Sequence, residues 1–544
     1  MTDRDDAIAG GRSATSPFGA QVIARVTSVD GARAAARLEI APAQAGHHPL
    51  QIGSMVKMGS IRHVVFAMVK AMEVPESDAP ESGREGVIEL ELVGEGLRES
   101  GDAAMSFRRG VSFYPTLGDA VYVASKEDLA RIYEQPSVAA VRIGSIYQDQ
   151  DLPAYISVDD LLGKHFAVLG TTGSGKSCAI ATILRAIVTG HREGHVLLLD
   201  LHGEYAHAFR DIAELRAAGE FKLPYWLLNF EEMQEIVVEK TDEAETDRAV
   251  LRDAIVHARQ SLHADDPEAA WLDADSPVTY RIRDVLRRLD EGIGKLENPA
   301  GTAPFLRLRN RINTLLGDRR FEFMFNERFA TTDDMAEVLS TLFRVPAHGK
   351  PMTVLDLSAV PSDIMKVVIS LLCRMTFDFA YWGDGDTPVL LVCEEAHRYA
   401  ALTDETGFDL TRRALSRIGN EGRKYGVSLG LVSQRPSELD LGILSQCSTI
   451  FAMRMNNMRD QEFVRGALSE SGLGLTDALP SLRTGEAVVV GEGLSVPARV
   501  YLDFLPADQR PSSSTAEFAK SWSTGEGKEA RVATIINRWR RQRR

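Results

Sequence analysis

The chain has 544 residues, of which 44% are hydrophobic and 26% are charged, so it is long enough for several domains with sizeable buried cores. The formal net charge of -15 argues against a protein that coats DNA with its whole surface, although a basic cleft or pore remains compatible with that total. The acidic, polar start and the lack of a long apolar run lead us to expect a cytoplasmic protein without a membrane segment.

The cysteines give no sign of a metal or redox site. Cys178, Cys373, Cys393 and Cys447 are widely spaced, without a CxxC pair or a Cys/His ligand pattern. We therefore predict that they are buried small hydrophobic residues in a reducing compartment.

The first part of the chain reads as β structure after a disordered start. Residues 1–17 are expected to be disordered, and residues 18–150 contain β-branched clusters such as "QVIARVTSVDG" and "VIELELVGE", separated by turn residues. A charged loop is predicted at 73–86. Short strands at this spacing predict a small barrel or sandwich. Such a domain is either a decoration without its own chemistry or a platform for assembly and partners.

From Leu161 the pattern changes to alternating strands and helices. The apolar strand "HFAVLG" is followed by a loop, by a helix ending at Gly190, and by the buried strand of "HVLLLDLHGEY". This alternation predicts an α/β fold with a parallel sheet covered by helices. We assign residues 151–230 and 346–508 to two parts of this core, and residues 231–345 to an α-helical insertion.

The second part of the core supplies several further strands. They are predicted in "MTVLDLS", "PVLLVCEEAH", "VSLGLVSQ" and "TIFAMRM", followed by a β pair that ends near Leu505. Residues 509–544 read as a flexible tail with a short terminal helix and a basic end, 538–544. That end fits a DNA-contacting arm, a docking segment or a solvated terminus.

The most specific motif of the chain is a phosphate-binding loop between the strand and the helix. The motif GxxxxGK[ST] is matched in full, by Gly170, Thr171, Thr172, Gly173, Ser174, Gly175, Lys176 and Ser177, with Cys178 directly after it. Glycines allow backbone N–H groups to turn towards phosphate, and the helix N-terminus adds its dipole. The motif predicts ATP binding, with Lys176 on the β- and γ-phosphates and Ser177 as a Mg²⁺ ligand.

Two adjacent carboxylates follow another buried strand. Glu394 and Glu395 end "VLLVCEE", where burying charge is costly unless the charge is used. We predict that Glu394 serves the Mg²⁺ side of the site and that Glu395 polarises the attacking water. The alternative interpretation is an ordinary pair of charges at the start of a helix.

Further candidates lie along the next strand and the segment before it. Gln434, at the end of "GLVSQ", is placed to sense the γ-phosphate, unless it is only a turn residue. Arg423, on a predicted loop "EGRKYG", is the candidate for an arginine that reaches a neighbouring subunit's ATP, with Arg417 as the substitute. A charged, solvated helix face is the simpler interpretation of these arginines.

In this order, the motifs GTTGSGKS, "DLHGEY", "EEAH", "EGRKYG" and "SQRPS" resemble those of the HerA ATPases in the HerA/FtsK superfamily, over about residues 18–505. The resemblance implies a RecA-like core with a helical insertion, an N-terminal barrel and a homo-hexameric ring. The roles of Asp200 and Glu204 in "DLHGEY" stay open, and His202 is interpreted as structural rather than as a ligand.

The resemblance also implies ATP-driven translocation of double-stranded DNA through the ring, in DNA end-processing or antiphage defence, together with a nuclease or another effector. The alternative function is an ATPase scaffold that recruits a nuclease or a sirtuin-type NAD hydrolase, with translocation secondary. The sequence shows no nuclease or NAD-binding pattern of its own, so such an activity is expected from a partner.

Overall fold

The structure is a computed structural model, and it describes residues 21–39, 50–59, 63–74, 86–97, 105–217, 221–239, 242–295, 299–330, 333–401, 407–468, 473–512, 522 and 528–541. The predicted disordered start and residues 75–85 of the predicted charged loop lie outside these ranges.

The first domain is a closed, antiparallel β-barrel. Its seven described strands are β1 (Ala24–Asp30), β2 (Arg33–Leu38), β3 (Met55–Gly59), β4 (His63–Glu73), β5 (Val87–Leu97), β6 (Ser106–Arg109) and β7 (Ala120–Val123). They pair in the order β2-β1-β7-β3-β4-β5-β6, and an additional pairing of β2 with β5 closes six of them into a ring. Closure leaves β6 as the flanking strand. The barrel predicted from the short-strand pattern is confirmed.

Side chains that alternate between the two faces of β4 explain how the barrel packs against the rest of the chain. Val65, Ala67 and Val69 belong to the apolar cluster that fills the barrel. Val64 and Phe66, on the opposite face of the strand, belong to the large core that continues into the second domain. One wall of the barrel is therefore buried on both faces.

A short helix and a hairpin follow the barrel and belong to the second sheet. After α1 (Lys126–Ile132) come β8 (Ala140–Ile146), β9 (Asp149–Ser157) and α2 (Val158–Leu162). Strand β8 pairs with β9 and with a strand near the end of the core. The sequence analysis included β8 in the barrel region, whereas its pairing places it in the core sheet. The domain boundaries themselves stay predictions.

The second domain is an α/β sheet interrupted by helices. In chain order its elements are β10 (Phe166–Leu169), α3 (Lys176–Gly190), β11 (Val196–Asp200), β12 (Ala213–Ala217), α4 (Phe230–Val237), α5 (Ala244–Leu262), α6 (Ile282–Lys295), α7 (Pro299–Gly317), α8 (Met335–Phe343), β13 (Met352–Asp356), α9 (Ser362–Trp382), β14 (Val389–Cys393), α10 (Asp409–Tyr425), β15 (Val427–Ser433), α11 (Leu441–Leu444), β16 (Thr449–Met453), α12 (Met458–Ala467), α13 (Leu473–Thr476), β17 (Glu486–Gly491) and β18 (Ala498–Leu502).

This sheet has eleven strands in the order β12-β13-β11-β14-β15-β10-β16-β17-β18-β8-β9. The strands from β12 to β16 run parallel, and those from β16 to β9 pair antiparallel. The parallel part confirms the predicted α/β class, and all of its strands except the edge strand β12 are buried, as strands covered on both faces must be. Strand β12, on the edge of the sheet, was not predicted.

Helices α4 to α8 lie between β12 and β13, which is where the sequence predicts the helical insertion. Buried apolar positions of α5, α6 and α7 pack in the same core as the sheet. The insertion is also joined to α9 by an ion pair, because the Arg374 guanidinium lies 2.9 Å from the buried Glu232 carboxylate. This contact makes the insertion part of one packed unit with the core sheet.

The terminal helix is α14 (Lys528–Arg541), and its side chains from residue 531 to residue 540 are exposed. It corresponds to the short helix predicted within the basic tail. Within the described ranges, no helix is both long and apolar enough to cross a membrane.

Candidate functional site

Glycines shape the loop between β10 and α3. Gly173 and Gly175 have φ angles of 76° and 100°, in the left-handed region that favours glycine. At Gly170 an added Cβ would lie 2.9 Å from both Met453 Cβ and Ser174 Oγ. The residue types of this loop thus allow a tight turn that directs backbone N–H groups to one point.

Two loops on the β16–β17 side hold this turn in place. The N–H and Oγ1 of Thr171 each donate to the carbonyl of Arg454 at 3.0 Å. The Gly173 carbonyl accepts from Arg454 Nη2 and Thr484 Oγ1, both at 3.2 Å. The sequence analysis missed Arg454 and Thr484. The only available signal was that "RMN" and "RTGE" each adjoin a predicted core strand.

Lys176 is buried at the start of α3. Its Nζ donates to the Thr171 carbonyl at 3.0 Å. Burial lowers the pKa of Lys176 to about 8, although Glu395, Glu394 and Glu204 act in the opposite direction. The side chain is thus a desolvated cation for which a phosphate anion would be a strong partner.

The "DLHGEY" segment folds around the Asp200 carboxylate. Asp200 accepts hydrogen bonds from the backbone N–H groups of four successive residues, 202–205, at 2.8–3.2 Å. Despite these bonds, burial raises the pKa of Asp200. The turn presents Glu204, whose Oε2 accepts from Ser177 Oγ at 3.0 Å. Asp200 therefore orders the loop, and Glu204 orients the predicted metal ligand Ser177.

Glu394 and Glu395 are both buried at the carboxyl end of β14, with 4% exposure each. Glu394 Oε2 accepts from the Leu201 N–H at 3.2 Å, and the Glu394 carbonyl accepts from Tyr399 OH at 2.7 Å. Desolvation raises the pKa of the Glu394 carboxyl to about 7. Glu395 has a φ of 50°, an uncommon conformation for a residue with a side chain. Such strain is typical of functional turns.

Gln434 joins the loop to the carboxylates. Its amide nitrogen donates to Glu395 Oε1, and its amide oxygen accepts from Thr172 Oγ1. This contact is possible because β15 lies between β14 and β10, so the three strands end side by side. The predicted sensor, the predicted catalytic carboxylate and the phosphate-binding loop therefore meet in one network.

His202 and His397 border the two carboxylates. His202 Nδ1 lies 3.9 Å from one oxygen of Glu394 and of Glu395. His397 Nδ1 lies 3.3 Å from Glu395 Oε2. The hydrogen bond to Glu394 raises the pKa of His202, whereas burial lowers that of His397. The half-exposed His202 ring lies beside both carboxylates, and its structural role stays a prediction.

The residues fit ATP and Mg²⁺. Ser174 Oγ is buried beside the glycines and has no hydrogen-bond partner among the described residues, as expected for a group in a phosphate cradle. Ligand atoms of His202, Glu394 and Glu395 lie within 4.8 Å of one another, and the carboxylate oxygens are of the kind that Mg²⁺ prefers. When bound, Mg²⁺ neutralises phosphate charge.

Three sequence-based expectations about individual residues change. Cys178 is exposed, whereas the other three cysteines are buried as expected. Arg423 lies in the last turn of α10 rather than on a loop, and its side chain is exposed. Arg417 stacks on the Phe377 ring at 4.0 Å and lies 3.8 Å from Asp378, so its guanidinium is already engaged within the subunit.

The fold resembles that of a solved protein structure. It is similar to VirB4 of Thermoanaerobacter pseudethanolicus, with a TM-score of 0.50 and 14% identity, over 69% of this chain and 99% of that chain. The strand, glycine loop and helix, followed by carboxylates at a neighbouring strand end, define a RecA-like P-loop ATPase.

Comparisons with known proteins find relatives among the HerA helicases. A family profile described as "Helicase HerA, central domain" matches residues 141–376. "DNA double-strand break repair helicase HerA" of Pyrococcus furiosus is 26% identical, over 90% of each chain. The protein of the same name from Saccharolobus solfataricus is 28% identical, over 72% of this chain and 73% of its own. The chain therefore contains a match to the HerA central domain and is similar to HerA helicases over 72–90% of its length.

Proposed function

We propose that this protein is an ATP-driven motor that assembles as a homo-hexameric ring and translocates double-stranded DNA. The observation that carries the proposal is the network in which Gln434 contacts both Thr172 of the loop and Glu395. It links the predicted γ-phosphate position to the residue that we assign to the attacking water. The names of the relatives, DNA double-strand break repair helicases, support DNA as the substrate.

The site residues are assigned as follows. Lys176 and the backbone of the glycine loop bind the phosphates, and Ser177 and Glu394 serve the metal. Glu395 orients and polarises the water, with Gln434 holding its carboxylate. Residues 170–178 contact the nucleotide. These roles follow from position: each group lies at the carboxyl edge of the parallel strands, where ligands bind in open α/β sheets.

Arg423 cannot serve its own subunit's nucleotide. Helix α10 ends just before Val427, the first residue of β15, so Arg423 lies at the amino edge of the sheet. The glycine loop follows β10, which runs parallel to β15, and therefore lies at the opposite edge. A seven-residue strand, about 20 Å long, separates the two edges. We infer that Arg423 acts on the ATP of a neighbouring subunit.

Mixed rings test this assignment. Subunits with Arg423→Ala and subunits with Glu395→Gln should each be inactive alone, whereas mixing them should restore composite sites in which an intact arginine faces an intact carboxylate. Arg413→Ala, which changes another exposed arginine on α10, is the control and should leave hydrolysis unchanged. Activity that stays absent at every mixing ratio would reject the action across subunits.

DNA dependence tests the motor. We expect hydrolysis to be stimulated by double-stranded DNA of any sequence, because a translocating protein contacts the phosphate backbone. Stimulation should weaken as the salt concentration rises, and Lys176→Ala should abolish hydrolysis. Hydrolysis that is indifferent to DNA at every salt concentration would contradict the proposal.

We further propose that the ring works with a nuclease or another protein effector in end-processing or antiphage defence. The exposed flanking strand β6 and the terminal helix α14 are candidate contact elements. The alternative is a scaffold that recruits a nuclease or a sirtuin-type NAD hydrolase, with translocation secondary. The two proposed functions predict different behaviour for a ring of Glu395→Gln subunits, which should still bind ATP. A scaffold made from it would activate the effector fully, whereas a motor made from it would not.

A further inference from the structure

The segment that follows β18 crosses the nucleotide site. Residues 503–512, called here the terminal strap, run from the end of the last sheet strand to the loop that contains Glu204. Nothing in the P-loop motif requires this segment, and the sequence analysis assigned residues 503–508 to the core and residues 509–512 to the start of the flexible tail.

Both ends of the terminal strap are anchored to elements of the site. At one end, the Asp503 carbonyl accepts a hydrogen bond from Thr182 Oγ1 on α3 at 3.2 Å. At the other end, the Ser512 N–H donates to the Glu204 carbonyl at 2.9 Å. Glu204 in turn accepts from Ser177 through its side chain. The strap therefore has a fixed position over the first two turns of α3.

An aromatic ring and a guanidinium lie between these anchors. Phe504 is 82% exposed. The Arg510 guanidinium carbon lies 3.7 Å from the centre of the Phe504 ring, and Arg510 Nε donates to the Leu505 carbonyl at 2.6 Å. Arg510 thus fixes the ring from one side, while most of the ring surface stays open.

The direction of the nucleotide brings its base towards this ring. When the β- and γ-phosphates lie at the glycine loop, the α-phosphate, ribose and base extend past the start of α3. Cys178, the third residue of α3, is exposed there. The terminal strap is anchored beside it, because Ser512 bonds to Glu204 and Glu204 accepts from Ser177, the residue before Cys178. The terminal strap and the open side of the loop therefore face the same space.

We propose that the terminal strap is the base-binding part of the nucleotide site, in which Phe504 stacks on the purine ring and Arg510 positions Phe504. Stacking on an aromatic side chain recognises the flat face of a base and needs few hydrogen bonds. This role rests on the nucleotide site alone and is independent of DNA translocation.

A comparison of ADP with pyrophosphate tests the proposal in the full-length protein, with Mg²⁺ and without DNA. Both ligands occupy the phosphate cradle, but only ADP carries a base. Phe504→Ala should weaken ADP binding about tenfold and leave pyrophosphate binding unchanged, as expected for the loss of one stacking contact. Phe504→Tyr should retain ADP affinity, because tyrosine keeps the ring.

Two further variants complete the experiment. Trp271→Ala changes an aromatic residue that is 85% exposed on the helical insertion, and it should alter the binding of neither ligand. Arg510→Ala should weaken ADP binding less than Phe504→Ala does. Unchanged ADP affinity in Phe504→Ala would overturn the proposal. Equal weakening of ADP and pyrophosphate would also overturn it, because that result would assign the strap to support of the phosphate loop.

Discussion

The buried lysine of the phosphate-binding loop should make nucleotide binding consume protons. Burial lowers the pKa of Lys176 to about 8 from its ordinary value of 10.5. At about 1.4 kcal/mol for each pKa unit, burial disfavours the ammonium form by about 3 kcal/mol. A bound phosphate chain stabilises that form, so Lys176 should take up a proton whenever it was neutral before binding. The uptake should be about 0.5 proton per nucleotide at pH 8 and about 0.9 at pH 9.

Calorimetric titrations with ADP in two buffers of different ionisation enthalpy measure this uptake directly. A Glu394→Gln background removes a carboxyl of the site whose pKa burial raises to about 7. Lys176→Arg is the matched control, because arginine stays charged at these pH values and should show no uptake. Absence of uptake at both pH 8 and pH 9 would refute the reasoning, and so would equal uptake in Lys176→Arg.

Three further predictions concern single residues of the site. Burial raises the pKa of Glu394 from 4.5 to about 7, so the folded chain loses stability as the pH rises between these values. In scanning calorimetry, Glu394→Gln should therefore melt at a higher temperature than the natural chain above pH 7, but not near pH 5. Gly175→Ala should reduce ADP affinity about tenfold or more in titration calorimetry, since its φ is 100° and the added Cβ would lie 3.2 Å from Gly485 N. Asp200→Ala should cost about 1–3 kcal/mol of local stability, seen as faster hydrogen exchange of the 202–205 amides, and it should slow hydrolysis. Unchanged exchange would contradict the role given to Asp200.

The parts of the site that the sequence predicts either are contiguous along the chain or directly follow buried strands. The glycine loop, its strand and its helix all lie within residues 166–190, so one local pattern specifies their arrangement. Glu394, Glu395 and Gln434 directly follow buried strands, and the carboxyl ends of parallel strands share one edge of a sheet. Local pattern and a general rule of sheet topology are sufficient for these residues.

Contacts between segments that are far apart in the chain could not be predicted from the sequence in this way. Arg454 and Thr484 bond to the Gly173 carbonyl, yet they lie about 300 residues further along the chain, and their own surroundings carry no motif. Strand β8 has the period of a barrel strand, and only its pairing with β18 assigns it to the other sheet. A strand pattern specifies the faces of a strand but not its neighbours.

Composition also fails to predict exposure where the burial of a residue depends on which side of a helix it occupies. Cys178 has the apolar character of a core residue, and the other three cysteines are indeed buried. It lies next to Ser177, on the side of α3 that faces the nucleotide site rather than the sheet, so the same residue type becomes exposed. The exposure of this thiol beside the phosphate-binding loop therefore follows from helix geometry, and residue composition carries no information about that geometry.

The barrel and the nucleotide site are mechanically joined. Strand β9 is separated from β10 only by α2 and three residues, and β8 pairs with β18, from which the terminal strap continues. Arg109, the last residue of β6, donates to the Gly491 carbonyl of β17 at 2.8 Å. Phe66 of the barrel wall packs into the common core. Because close-packed interiors transmit strain, a displacement of the barrel wall should reach the core sheet.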